Sequence, residues 1–331
     1  CYNIADTLIV GRFIGAEALA AVGSSFSLMT FLTSVILGLA MGSGTVFSIR
    51  IGQKDMSGLR EGILASFALL GTVTILLNAA VFAAADLIID VLNTPDELTD
   101  MMKEYLMIIF AGMFGVFLYN FFAFVLRAMG DSMTPLKFLA VSAVLNIGLD
   151  LVFILAFDMG VGGAALATVI SQYVCGIGIA VYTRSKHPEL FRREKKIRLK
   201  LHRVREIAGF SALTCLQQSI MNLGILAVQG LVNSFGTVVM AAFAAGVKID
   251  AFAYLPVQDF GNAFSIFIAQ NYGAGEKERI RRGIRGALIT TISFGLLISL
   301  LVFIFAGPLM SIFVDTEETE VISEGIKYLR I

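Results

Sequence analysis

The stretch GQKDMSGLREGI at residues 52–63 returns, in altered form, as GAGEKERIRRGI at residues 273–284. At one constant offset Gly52, Asp55, Arg60 and Gly62 face Gly273, Glu276, Arg281 and Gly283. The same offset pairs Ala20-Ala21 with Ala241-Ala242 upstream. With a small slip, EYLMI (104–108) meets KYLRI (327–331), and Asn3 and Gly11 meet Asn222 and Gly230. Each identity alone is weak, but all fall in the same order along the chain. The chain is therefore read as two related halves.

Outward from these stretches the sequence becomes apolar. The chain is 57% hydrophobic and 15% charged, against roughly 25% charged in an ordinary soluble domain. Uncharged runs cover Ala18–Ile49, Gly62–Ala85, Tyr105–Leu126, Met159–Thr183, Ile207–Val247 and Gly286–Val314. Each is long enough for a spanning helix, which needs about 20 residues. NSFGT (233–237) splits the longest run in two. The expected spans are a partial first helix at 1–14, then 18–48, 62–85, 105–126, 136–157, 162–183, 207–233, 238–270 and 285–308, with a tenth starting at EGIKYLRI.

Charge orients them. Most of the 25 basic residues fall in four alternate connections, around 50–60, 127–137, 184–205 and 277–285. The intervening connections, 85–104, 157–163, 233–239 and 315–325, are acidic or neutral. The positive-inside rule makes the basic loops cytoplasmic. A repeat of six helices returns the chain to the side it left, so the halves are parallel repeats, a plan common among transporters. The expected fold is an all-α polytopic membrane protein built of two six-helix lobes, twelve helices in the full protein. Its first helix is truncated here and its last three are largely missing. The division expected is an N-lobe at 1–183, a basic cytoplasmic linker at 184–206 and a C-lobe at 207–331. The linker's charges are expected to form a solvated surface.

Four acids lie inside helices: Asp6, Asp150, Asp250 and Asp259. A carboxylate at that depth is costly unless paired, solvated or neutralised. Pairing or an aqueous position accounts for Asp250 and Asp259. In LNIGLDLVFIL (145–155), Asn146 precedes Asp150 by one helical turn and shares its face. In YNIADTLIVG (2–11), Tyr2, Asn3 and Asp6 likewise share a face. The repeat partner of Asp6 is Ile225, which argues against a structural acid common to both halves. A carboxylate among apolar helices exchanges a proton near neutral pH. Two carboxylates with amide oxygens also suit Na⁺, so Asp6 and Asp150 form a candidate metal position. Asn120 and Thr168 are further polar groups of this half, fit either for such a site or for bonding between helices.

Other chemistry has little to stand on. There is no G-x-x-x-x-G-K-[ST] phosphate loop, no Ser/His/Asp set and no metal-spaced His/Cys cluster. His187 and His202 share one basic loop, and Cys175 and Cys215 stand alone in apolar helices as small buried residues. Net charge is zero, and no nucleic-acid partner is implied. The reading is a secondary transporter, not an enzyme, with no cofactor beyond H⁺ or Na⁺ as coupling ion.

Five stretches then resemble one family, the multidrug and toxic compound extrusion (MATE) transporters. They are ADTLIVGRFIG (5–15), LRAMGDSMTP (126–135), LNIGLDLVFI (145–154), GVGGAALATVISQ (160–172) and IAQNYGAGE (268–276). The likeness spans the chain and looks closest to the prokaryotic branch typified by DinF. It implies two six-helix lobes facing a central cavity, and export of cationic or amphipathic molecules in exchange for H⁺ or Na⁺. It further implies a cation site of Asp6, Asn120, Asn146, Asp150 and Thr168, with Tyr2 lining the cavity. Another branch places a Glu on its seventh helix, where this chain has Gln217 and Gln218. A bacterial or archaeal cytoplasmic membrane, lipid contacts and a monomer are expected. The competing expectation is a flippase for lipid-linked oligosaccharide or peptidoglycan precursors.

Overall fold

In a computed structural model, the protein is described at residues 9–10, 13–14, 16–91, 96–192, 200–233, 235, 237–313 and 318–331. Among these residues every regular element is helical. In chain order the helices are α1 (Ala16–Gly52), α2 (Met56–Ala83), α3 (Ala85–Val91), α4 (Asp96–Ala111), α5 (Met113–Ala128), α6 (Met133–Leu151), α7 (Gly160–Lys186), α8 (Leu201–Asn233), α9 (Thr237–Gly273), α10 (Lys277–Phe313) and α11 (Thr319–Leu329). A π-turn, Val152–Ala156, extends α6, and a 3₁₀ turn, Pro188–Leu190, follows α7.

The stretch 52–63 and its counterpart fold alike, bond for bond. After α1, Gln53, Lys54 and Asp55 donate their N–H groups to the carbonyls of Ile49, Ile51 and Arg50. After α9, Ala274, Gly275 and Glu276 donate to Gln270, Tyr272 and Asn271, the repeat partners of those residues. In each turn the middle residue is left-handed, Lys54 at φ 58° and Gly275 at φ 75°. This is the crossed six-to-one and five-to-two closure that satisfies the last carbonyls of a helix. The basic turn between α5 and α6 repeats it, with Gly130 at φ 90° and the Asp131 N–H on the Leu126 carbonyl. An acid follows each left-handed residue: Asp55, Glu276 and Asp131. Asp55 accepts from the Gly58 N–H at 2.8 Å and Asp131 from the Thr134 N–H at 2.9 Å, so one short motif ends a helix and caps the next.

Five segments of the first half are long and apolar enough to cross a membrane: Met29–Gly52, Met56–Ala83, Thr99–Ala128, Met133–Ala156 and Gly160–Lys186. In the second half Lys277–Ile312 qualifies, as does α9 if its two arms count as one span. Those arms, Val238–Ala251 and Tyr254–Gly273, meet at 41°. The bend lies about one turn before Pro256, whose ring collides with the carbonyl four residues back. One expectation needs correction: the connection 85–104 is largely helical, through α3 and an early start of α4. Helix α8, 33 residues long, covers the expected seventh span at 207–233. The expected first span falls mostly outside the described residues.

Contacts divide the chain into two units, Cys1–Ser219 and Ile220–Ile331, and the boundary falls inside α8. In the first unit, α5 packs most extensively on α7, then α7 on α6 and α5 on α1. A Cβ on Gly115 would lie 2.9 Å from the Gln172 backbone, and one on Gly176 would lie 2.6 Å from the Gly115 carbonyl. Small residues thus let α5 and α7 touch backbone to backbone. Phenylalanines fill the space behind them: Phe67 meets Phe117 at 5.2 Å and Phe121 at 5.3 Å, and Phe121 meets Phe122 edge-on at 5.1 Å. The second unit has a smaller core of Ala245, Ile249 and Met310.

Candidate functional site

Helix α6 is polar on its buried side. Asp131 starts it, accepting both the N–H and, at 2.6 Å, the hydroxyl of Thr134, while Pro135 sits in the first turn, where no N–H is needed. Its apolar residues face outward, Val141 at 62% exposed and Val144 at 73%. Apart from Pro135, its buried residues are Ser142, Asn146 and Asp150, one per turn on one face. In water such a helix would be inside out; in lipid the arrangement is stable.

The stripe lies against α7, whose facing residues are small. Ser142 Oγ donates to the Ser171 carbonyl at 3.0 Å. Asn146 Nδ2 donates to Thr168 Oγ1 at 3.2 Å, with both residues 1% exposed. Asp150 is fully buried, one turn beyond Asn146. The π-turn starts two residues after Asp150, and Phe157 donates to the Val152 carbonyl five residues back. π-Turns concentrate at functional positions in helices, where they re-aim the turn that precedes them. Asp150, Asn146 and Thr168 together offer hard oxygen donors, the type preferred by cations such as Na⁺.

The other residues singled out from sequence fall as follows. Asn120 is half-buried on α5 and donates to the Val116 carbonyl of its own helix at 2.9 Å. Tyr2, Asn3 and Asp6 lie outside the described residues. In the second unit Asp250 accepts from the Tyr328 hydroxyl at 2.7 Å, with the Tyr328 ring lying over Gly246, while Lys248 and Asp259 are exposed. Ser142 was not singled out from sequence, although its four-residue spacing to Asn146 would have marked it.

A second charged group was also not anticipated. Glu61 of α2 is 7% exposed and pairs with Lys200 at 2.6 Å and Arg203 at 3.4 Å. Arg203 also pairs with Glu206 at 3.1 Å, and Glu206 with Arg50 of α1. The end of the basic linker is therefore engaged in ion pairs as well as exposed, with the Lys200 side chain 47% exposed. Lys200 and Arg203 are tied to two acids, Glu61 of α2 and Glu206 of α8.

The chain matches the MatE family over residues 1–152 and 214–331. It is 32% identical to the probable multidrug resistance protein YpnP of Bacillus subtilis, across 99% of this chain and 73% of the relative. It is 26% identical to the probable multidrug resistance protein NorM of Thermotoga maritima, across 98% of this chain and 70% of the relative. Among solved structures, the Vibrio cholerae MATE transporter VcmN in its bent form covers 100% of this chain, and this chain covers 74% of it, with a TM-score of 0.90 and 26% identity. Helices, spans and relatives agree: this multi-pass membrane protein belongs to the MatE family of transporters.

Proposed function

We propose that the protein exports cationic or amphipathic small molecules across a bacterial or archaeal cytoplasmic membrane, in exchange for H⁺ or Na⁺. Its named relatives are multidrug resistance and multidrug export proteins, which supports the substrate class. The observation that carries the coupling is Asp150, fully buried at membrane depth on the Ser142–Asn146–Asp150 stripe and directly before the π-turn. An aspartate at the centre of a spanning helix costs about 2.5–3.5 kcal/mol on insertion scales. A proton or Na⁺ that neutralises it removes that cost, and so favours whichever state keeps Asp150 dry. Ion binding from one side of the membrane thereby biases two conformations without ATP. Asp6, expected on the first helix, is the second carboxylate of this site, with Asn146, Thr168 and Asn120 as its neutral oxygens and Tyr2 and Asn3 beside it.

A flippase acting on anionic pyrophosphate lipids would favour a cavity rich in cationic side chains, whereas the sequence offers Lys248 alone as a base within the spans, away from their ends. The test is efflux of a fluorescent cation by the full-length protein in vesicles, under an imposed pH gradient, with and without Na⁺. Asp150→Asn and Asp6→Asn are each expected to reduce gradient-driven efflux at least about tenfold, a loss equivalent to roughly 1.4 kcal/mol of coupling. Unchanged efflux in both variants would overturn the carboxylate mechanism.

A further inference from the structure

The cytoplasmic ends of α2, α5 and α7, with the turn Pro188–Leu190, enclose a cavity of about 820 Å³ in the first unit. It is separate from the polar stripe of α6. Its walls are apolar: Ile63, Leu64 and Phe67 from α2, and Leu118, Phe121 and Phe122 from α5. One end is cationic, lined by Arg60, Arg184 and Arg192. Arg60 stands in the first turns of α2, Arg184 in the last turn of α7, and Arg192 just beyond it. All three therefore lie at the basic, cytoplasmic level that the loop charges define.

From Arg60 to Phe67 the α2 wall runs seven residues, about 10 Å into the hydrocarbon. The cavity also opens sideways at that depth. Leu64 is 41%, Phe67 37% and Val181 60% exposed, and in a membrane those surfaces face lipid. At the charged end, Arg184 and Arg192 are exposed and form no ion pair among the described residues. Among the described residues one acid stands close by, Glu189, whose carboxyl is held below its usual range by its own backbone N–H and then by the His187 ring 3.0 Å away. It offsets one of the three arginines and leaves the end cationic.

A soluble anion would satisfy the arginines and leave the apolar walls unfilled, whereas an acyl chain with no headgroup charge would leave the arginines unanswered. We propose that this cavity binds one anionic phospholipid of the cytoplasmic leaflet, its phosphate on Arg184 and Arg192 and an acyl chain along Leu64, Phe67 and Val181. Basic pockets between helices on the cytoplasmic side recognise lipid headgroups in this way.

The experiment reconstitutes the full-length protein in phosphatidylcholine nanodiscs carrying a minor fraction of phosphatidylglycerol. Retained lipid is counted by native mass spectrometry after release into mild detergent, so the readout is independent of transport. Wild-type protein is expected to retain phosphatidylglycerol in preference to phosphatidylcholine. The double variant Arg184→Gln/Arg192→Gln should lower that retention by roughly tenfold or more, since each basic residue near an anionic headgroup contributes about fivefold. Val181→Trp, which fills the groove and keeps every charge, should lower it as well, whereas Arg279→Gln, exposed on α10, should not. All of these side chains are exposed, so the variants fold as the wild type does, and unchanged thermal stability checks this. Retention unaffected by the arginine pair, or equally reduced by Arg279→Gln, overturns the proposal. So does displacement of the lipid by millimolar glycerol phosphate with Val181→Trp still binding, because the site would then serve a soluble phosphate.

Discussion

Thr168 gives α7 a side-chain contact with the polar stripe of α6, its hydroxyl accepting from Asn146 where neither side chain meets solvent. Valine at 168 keeps the shape and removes the acceptor of a buried bond, which contributes about 0.5–1.5 kcal/mol. Thr168→Val should therefore lower the thermal stability of the detergent-purified protein, and Thr168→Ser should restore it. If Asn146 is aimed by this bond, Thr168→Val also shifts the pH dependence of transport, while a purely structural bond alters stability alone. The pairing of Asn146 with Asp150 was legible in the sequence because helical periodicity is local: residues four apart share a face whatever surrounds them. The bond from Asn146 to Thr168 was not, because register between two helices is set by packing. Here it follows from the packing of α6 on α7, fixed also by the Ser142 bond to the Ser171 carbonyl, which no local pattern encodes.

The helices themselves were largely legible, since apolar length and basic loops are read directly from composition. What was missed lay at their ends. Asp131 appeared only as one letter of LRAMGDSMTP, yet it closes α5 through its N–H and opens α6 through its carboxylate. The Thr134 hydroxyl, more than any other group, holds the Asp131 carboxyl below the usual carboxylate range. A depressed folded pKa means that the cap contributes fully above the unfolded value of about 3.9 and is lost as pH falls through the lower folded one. Asp131→Ala should thus destabilise the protein by about 1 kcal/mol at neutral pH. The gap to wild type should hold down to about pH 4 and close below it, as followed by thermal unfolding of the purified protein. A gap that persists unchanged in acid would assign the effect to packing instead. Helix α8 was legible too, from apolar length, although it carries Gln217, Gln218 and Asn222 within it.

Across the first unit, the opening half of α8 is fastened to α1 along a seam that runs inward from the cytoplasmic end. Arg50 pairs with Glu206 at the rim, and Val46 packs on Ile207 beneath it. Deeper, Ser211 donates to the Leu39 carbonyl at 2.9 Å and Thr214 to the Gly38 carbonyl at 2.6 Å. Glycine permits the approach, because a Cβ on Gly42 would lie 2.5 Å from the Ser211 backbone, and one on Gly38 2.7 Å from that of Cys215. Glu61 anchors the rim from α2 through Lys200 and Arg203. A transporter that alternates its access must part some seam of this kind on the cytoplasmic side, and the charged rim is the part that can be weakened without touching the glycines. Removing the buried partner leaves Lys200 without its acid and Arg203 with Glu206 alone. Because Lys200 is 47% exposed, the expected loss sits below the 3–5 kcal/mol of a fully buried pair, at about 2 kcal/mol. Cys215, a free thiol at the deep end of the seam, reports the result directly. In inside-out vesicles, a membrane-impermeant thiol reagent should modify Cys215 slowly in wild-type protein and several-fold faster in Glu61→Gln, with labelling assigned by peptide mass spectrometry. Equal labelling with a lowered melting temperature would mean that the ion pairs stabilise the fold without guarding the seam. Faster labelling at unchanged melting temperature would mark the seam as a gate whose closed state they hold.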